Sequence, residues 1–277
     1  MKLLELINKL YENSSNFNLE DFNLISKELI EGLNSGKIRS AQKNENNVWI
    51  VNDWVKKGIL LLFKYGNLVD YSINKNFYFF DKNTLPTHNF KIEDNIRIVP
   101  GGSSIRTGSY IAPGVICMPP MYINIGAYVD EGTMIDSHAL VGTCAQIGKR
   151  VHLSAASQIG GVLEPPNARP VIVEDDVMIG GNRGIYEGTL IRKRAVLGSG
   201  VVITSSTKIF DLVHERIIKA EDGNPIEIPE GAVVVPGARK INTPFAEQYG
   251  LSISSPIIIK YRDEKTDSKT ALEDYLR

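Results

Sequence analysis

Few residues in this 277-residue chain are suited to holding a metal or opening a covalent route: four histidines, His88, His138, His152 and His214, and two cysteines, Cys117 and Cys144. Zinc hydration chemistry needs three such ligands converging on one ion. His138 and His152 lie fourteen residues apart, which is no multiple of the six-residue step that runs through the chain, so they do not fall at equivalent positions. The cysteines match no metal-ligand spacing and read as small apolar packing residues of a reducing compartment. No G-x-S-x-G elbow and no placed Cys-His pair announces a nucleophile. The carboxylates Asp130, Asp136 and Glu187 read, from type and position alone, as solvated turn residues, and Arg97 as a surface arginine.

The elements that must position these side chains follow from an internal repeat. Stepping by six from Ile105 gives Ile111, Cys117, Ile123, Val129, Ile135, Val141, Ile147, Leu153 and Ile159. The register breaks at LEPPNARP (163–170), eight residues where six would fit, and resumes at Val173, Ile179, Ile185, Ile191, Leu197, Ile203 and Ile209, for seventeen units in all. Ile228 and Val234 keep the step after an excursion. Six is neither the helical period nor that of an alternating strand. It fits a short strand plus a turn, as in AYVDEG, TMIDSH, ALVGTC and AQIGKR, with three units per coil of a triangular parallel β-helix. The position two before the aliphatic residue is often small (Ser103, Ser109, Ala127, Thr133, Ala139, Ala145, Ser157, Ala195), as a crowded interior demands. One buried aliphatic side chain contributes roughly 1.5 to 3 kcal/mol, against roughly 9 kcal/mol for ordering six residues. That imbalance predicts an oligomer.

The flanks differ. Leu3–Tyr11, Glu20–Gly36 and the stretch from Asn52 to Gly66 carry apolar residues at helical spacing, with Asn52 as N-cap and glycines closing the second and third. NVWIV reads as a strand. An α-rich domain over 1–95 therefore precedes a repeat domain over 96–240, which includes the loop 163–170 and an excursion over 210–225. A cap over 241–277 follows, with SSPIIIKY as a strand and SKTALEDYLR as a short helix. The 31 basic and 32 acidic residues leave a net charge of -1, which points to neither nucleic acid nor an anionic membrane. The opening MKLLELINKL contains Glu5 and Asn8 and no small-residue cleavage site, which predicts a cytoplasmic protein.

The stretch GAYVDEGTMIDSHALVGTCAQIGKRVHLSAASQIGGVLEPP (126–166) resembles the tetrahydrodipicolinate N-succinyltransferases of the lysine and diaminopimelate pathway. NSGKIRSAQK, VWIVNDWVKKGILLLF, RIVPGGSSIRTGSYI and IIIKYRDEKT extend the likeness, in order, across nearly the whole chain. The resemblance implies a mainly β fold built on a left-handed parallel β-helix. It also implies a homotrimer with active sites between subunits, and succinyl-CoA as a co-substrate lying along the coils, with no tightly bound cofactor and no metal. The implied reaction moves the succinyl group to the amine of 2-amino-6-oxopimelate, a dicarboxylate. Aminolysis of a thioester needs a proton acceptor, an oxyanion site and alignment.

Carried over residue by residue, the family's substrate-binding arginine falls on Arg97 and its substrate-contacting aspartate on Asp136. The family's glutamate after the IG of the post-loop coil falls on Gly184. Glu187, three residues on, takes over that role, or Asp136 alone suffices, or that glutamate is not general. Gly161, Gly181, Gly198 and Ser199 are the small residues beside which a pantetheine arm would fit, and Arg192, Lys193, Arg194 and Lys208 the basic residues for its phosphates. His138 is a second candidate base. The close alternative is an acetyltransferase on the same acceptor; zinc hydration and a non-catalytic scaffold are remote ones.

Overall fold

The computed structural model describes residues 2–13, 15, 17–221 and 223–263. Three helices open the chain: α1 (Lys2–Glu12), α2 (Leu19–Asn34) and α3 (Asp53–Tyr65). Each buries one apolar stripe: Ile7 and Leu10; Phe22, Ile25, Leu29 and Leu33; Val55, Ile59, Leu61 and Leu62. The contact is close enough that a Cβ on Gly58 would sit 2.6 Å from Leu29 Cδ2 and 2.9 Å from Ile7 Cδ1. Asn18 caps α2 by accepting from the amides of Glu20 and Asp21, and Gly36 follows it at φ +69°. Asn52, expected to cap α3, makes no such bond; its Nδ2 donates to Arg39 O at 2.7 Å and ties the helix start to the preceding segment. Gly66 closes α3 in extended conformation at φ -72°, so it ends the helix without the left-handed turn.

From Arg97 onward, hexapeptide units form two- or three-residue strands joined by tight turns. Val129 pairs in parallel with Ile111 below and Ile147 above, eighteen residues in each direction, so three units make one coil. Successive strands stack into three parallel sheets. Sheet A starts at Arg97–Ile98, sheet B at Ser104–Ile105 and sheet C at Tyr110–Ile111. Cys117, Ile135, Leu153, Ile179 and Leu197 stack inside sheet A; the aliphatic residues of B and C do the same, all in one continuous core. The eight-residue insertion lengthens a single coil, so that Ile147 pairs with Val173.

Two features depart from the six-residue count. The coils begin one rung earlier, at Arg97–Ile98. Ile209 is buried, but its strand (Ile209–Asp211) has left the coil: it pairs antiparallel with Arg216–Ile218 and parallel with the C-terminal strand Ile257–Tyr261. Ile228 takes the place above Ile191, and Val234 that above Leu197. Asp211 fastens this excursion, its carboxylate accepting from His214, Arg216 and Tyr261, which hold its pKa at about 2. The expected strand in SSPIIIKY is Ile257–Tyr261, which also runs antiparallel along Ala232–Val235. The helix expected in SKTALEDYLR lies outside the described residues.

The helices cover one side of the prism. Their core includes Ile125 and Cys144, from turns between sheets B and C. The outer face of sheet C is covered by the segment after α2: Arg39 lies 3.6 Å over the Tyr128 ring and donates to Gln146, and Ala41 and Trp49 pack on Ile172 and Leu190. Among the described residues, the turns between sheets A and B receive no such cover.

Candidate active site

Each coil turns from sheet A into sheet B through four residues, and the coil register stacks these turns along one edge of the prism. Asp136, Ser154, Gly180 and Gly198 share the first turn position, and Ser137, Ala155, Gly181 and Ser199 the second. Above the aspartate this edge carries little beyond backbone and hydroxyls. The third position is left-handed from the Asp136 coil upward, at His138 (φ +62°), Ala156, Asn182 and Gly200. Asp136 Oδ1 accepts from the Ser137 amide at 2.7 Å, and Oδ2 has no partner among the described residues. Asp130 closes its own turn identically, through the Glu131 amide, but on the edge between sheets C and A. Arg97 is exposed on the first rung of sheet A, two coils below Asp136 or about 10 Å at the interstrand spacing. Asp136, Gly181, Gly198 and Ser199 thus share one edge, and Arg97 stands near its foot.

Gly161 and Glu187 lie elsewhere, on the edge between sheets B and C. There the loop 163–170 and the coil enclose a cavity of about 1010 Å³, with Leu140, Gly161, Glu164, Tyr186, Glu187 and Thr204 in its wall. The loop is tied down. Lys56, buried on α3, donates to Ala168 O at 2.5 Å, and Arg169 reaches Gly188 O and the Glu227 carboxylate, both at 2.7 Å. Burial lowers the Lys56 pKa. Glu187, at φ +52°, accepts from the Ser205 amide and side chain, and these bonds pull its pKa down. The unusual backbone is therefore at Glu187 itself, with no positive φ at Gly184. A Cβ at Gly184 would lie 2.7 Å from the Cζ and hydroxyl of Tyr186, whose ring occupies the space a larger side chain would need.

A family model described as tetrahydrodipicolinate N-succinyltransferase N-terminal matches residues 2–65, and another, hexapeptide repeat of succinyl-transferase, matches 170–205. A 2,3,4,5-tetrahydropyridine-2,6-dicarboxylate N-succinyltransferase of Polynucleobacter asymbioticus is 40% identical over 98% of this chain and 97% of its own length. The chain belongs to the tetrahydrodipicolinate N-succinyltransferase family. A relative of the same name from Buchnera aphidicola is 39% identical over 99% of this chain and 97% of its own. Among solved structures, a hexapeptide-repeat acetyltransferase of Vibrio cholerae complexed with acetyl coenzyme A matches at a TM-score of 0.31 and 20% identity, over 44% of this chain and 66% of that one.

The fold of this N-succinyltransferase family member is thus the left-handed parallel β-helix with a helical N-terminal region. Within it, the chain separates the residues that the resemblance grouped together. Asp136 and Glu187 occupy different edges, so one chain does not bring them to one amine. The histidines are dispersed as well, and among the described residues no three metal-ligating side chains cluster. No described helix is long and apolar enough to cross a membrane. Two charged residues went unremarked in the sequence. Lys56 interrupts the apolar face of α3, and Arg183 stands two before Ile185, where the other units hold small or apolar residues and no charge. Both break a local pattern, and that break was the available signal.

Proposed function

We propose that the chain transfers a succinyl group from succinyl-CoA to the amine of 2-amino-6-oxopimelate, releasing coenzyme A. The observation that carries this is the 40% identity with a named N-succinyltransferase over 98% of the chain. The edge between sheets A and B supports it. In the proposed reaction the acceptor's ammonium gives a proton to Asp136, and the amine attacks the thioester carbon. The oxyanion then collapses with loss of the thiolate, which takes up a proton. Arg97 binds an acceptor carboxylate; its exposed guanidinium suits bidentate pairing. The acyl arm lies along the bare edge at Gly181, Gly198 and Ser199. The rest of the donor passes beneath a neighbouring chain's loop, beside Gly161, in a cavity whose wall includes Glu187.

The two halves of such a site stand on different edges of one chain, and this supports a homotrimer in which neighbours supply complementary edges. Three 30.7 kDa chains would sediment near ~90 kDa; a monomer at micromolar concentration would overturn this assembly. Succinyl-CoA is a co-substrate bound in turnover, and we place the enzyme in the cytoplasm. The test is thiol release by the purified protein with succinyl-CoA and acetyl-CoA on the same acceptor. Faster release from succinyl-CoA is expected. Preference for acetyl-CoA would move the chain to the acetyl alternative, and no release with either would reject the reaction.

A further inference from the structure

Inside the solenoid the position two before the aliphatic residue is filled by small or apolar residues such as Ala127, Thr133, Val151, Ser157, Val177 and Ala195, all buried. Residue 183 holds the same place and is an arginine, 3% exposed. Its Nε, Nη1 and Nη2 are all buried, and none has a hydrogen-bond partner among the described residues. Burial lowers its pKa to about 9, which leaves it charged at neutral pH. A buried, unpaired guanidinium is among the least favourable groups a core can hold, and it is tolerated where an acceptor arrives from outside the chain.

The guanidinium lies against the edge between sheets A and B. A Cβ on Gly180 would overlap Arg183 Nη2 and come within 3.1 Å of Ser199 Oγ, so cation and hydroxyl crowd the space a side chain at 180 would fill. Gly180, Gly181 and Gly198, in the turns of this edge, are partly exposed. Gly180 stands two coils above Asp136 in the same column, about 10 Å at the interstrand spacing. A hydrogen bond of about 2.8 Å at each end and a four-carbon acyl chain of about 5 Å span that gap.

We infer that Arg183, with Ser199, is the specificity site that receives the distal carboxylate of the succinyl group. This rests on the reaction proposed above and names what distinguishes its donor. Arg97 then holds the acceptor below Asp136, Arg183 holds the acyl carboxylate above it, and an acetyl group has nothing to offer the upper cation. Glycine at 180 leaves no Cβ in the space beside Nη2.

The test compares Arg183→Met and Arg183→Lys with the unaltered full-length protein, using succinyl-CoA and acetyl-CoA on one acceptor. Arg183→Met is expected to lower kcat/KM for succinyl-CoA by about 100-fold while changing that for acetyl-CoA by less than about 3-fold; Arg183→Lys should fall between. Equal losses with both donors, or no loss, would overturn the assignment. So would a loss that disappears with an acceptor lacking one carboxylate, since the ligand would then be the acceptor. A readout independent of catalysis uses the unaltered protein: succinate should raise its thermal midpoint, and neutral succinamide or chloride at matched ionic strength should not. That arm decides the matter if Arg183→Met does not fold, and an equal rise with chloride would overturn a carboxylate site. Inactivity of the unaltered protein with both donors would reject the reaction, whereas the succinate arm reads the site by itself.

Discussion

Two edges of the same prism, built from the same six-residue unit, have been put to opposite uses. Between sheets B and C the lower turns pack under α3, a loop held by Lys56 and Arg169 covers the next, and the coils at Gly142 and Gly161 touch backbone to backbone. Between sheets A and B the exposed turns carry Asp136 and then mostly small residues, and nothing among the described residues covers them. The difference lies in what the turns face. A turn packed against helices must satisfy the helices, whereas a turn facing solvent is free to be shaped by a ligand.

The sharpest way to break this contrast is to add a methyl group to each edge. A Cβ on Gly142 would sit 2.6 Å from Gly160 C and Ile159 O, backbone atoms that cannot yield. Gly142→Ala should therefore cost about 3 kcal/mol or more in thermal or denaturant unfolding. On the open edge the nearest atoms to a Cβ on Gly198 are Val234 O at 3.2 Å and Val235 Cγ1 at 3.4 Å. Gly198→Ala should cost under about 1 kcal/mol and act instead on the KM of the coenzyme A thioester. Comparable destabilisation by both would erase the distinction.

The next largest effect is expected at Asp136. Asp136→Asn should reduce turnover about 100-fold, the range for loss of a general base. Asp130→Asn, which alters an identical local turn on a different edge, should reduce it less than about 3-fold. Equal small losses would return Asp136 to the role of a turn residue.

Two smaller effects probe the covered edge. Lys56→Met removes the ammonium that holds Ala168 O and leaves an apolar chain of similar length, so stability should change by under about 1.5 kcal/mol. Proteolytic cleavage within 163–170 should accelerate, and the donor KM should rise several-fold with kcat nearly constant; an unchanged cleavage rate would show that the loop is held elsewhere. Glu187→Gln should be the mildest. Its carboxylate is exposed, so its bonds to Ser205 contribute under about 1 kcal/mol after solvent screening, and turnover should change by less than about 3-fold. The pKa of Glu187 is depressed in the folded state, so its contribution is present above the unfolded value near 4.5 and lost as pH falls through the lower folded one. The stability gap between Glu187→Gln and the unaltered protein should therefore close in acid. A turnover loss as large as that of Asp136→Asn would restore Glu187 to the chemistry.

Much of this was legible in the residues. The six-residue step located the strands, and it locates the edges too. With the eight-residue insertion removed, Gly180 lies two whole coils beyond Asp136, while Glu187 lies seven residues further, across sheet B. Counting therefore separates the two carboxylates. It failed at Ile209, because burial in a strand of another sheet imposes the same apolar residue that a coil would. Asn52 was misread as a cap because its nearest acceptor, Arg39 O, belongs to a segment thirteen residues away. The unpaired state of Arg183 was not legible, since only the packed coils show that no acceptor stands beside it.

The strand Ile257–Tyr261 has a consequence beyond fastening the chain's end. A ladder of parallel strands is a template that can be copied by the first rung of another molecule, and a solenoid with two matching ends would grow into a fibre. Here the last rung of sheet A is met by a strand running the opposite way, with a register shift between Val233 and Val234. An incoming Arg97–Ile98 rung would find neither the direction nor the spacing it needs, so the chain carries its own terminator of polymerisation, and the routes left to association are sideways.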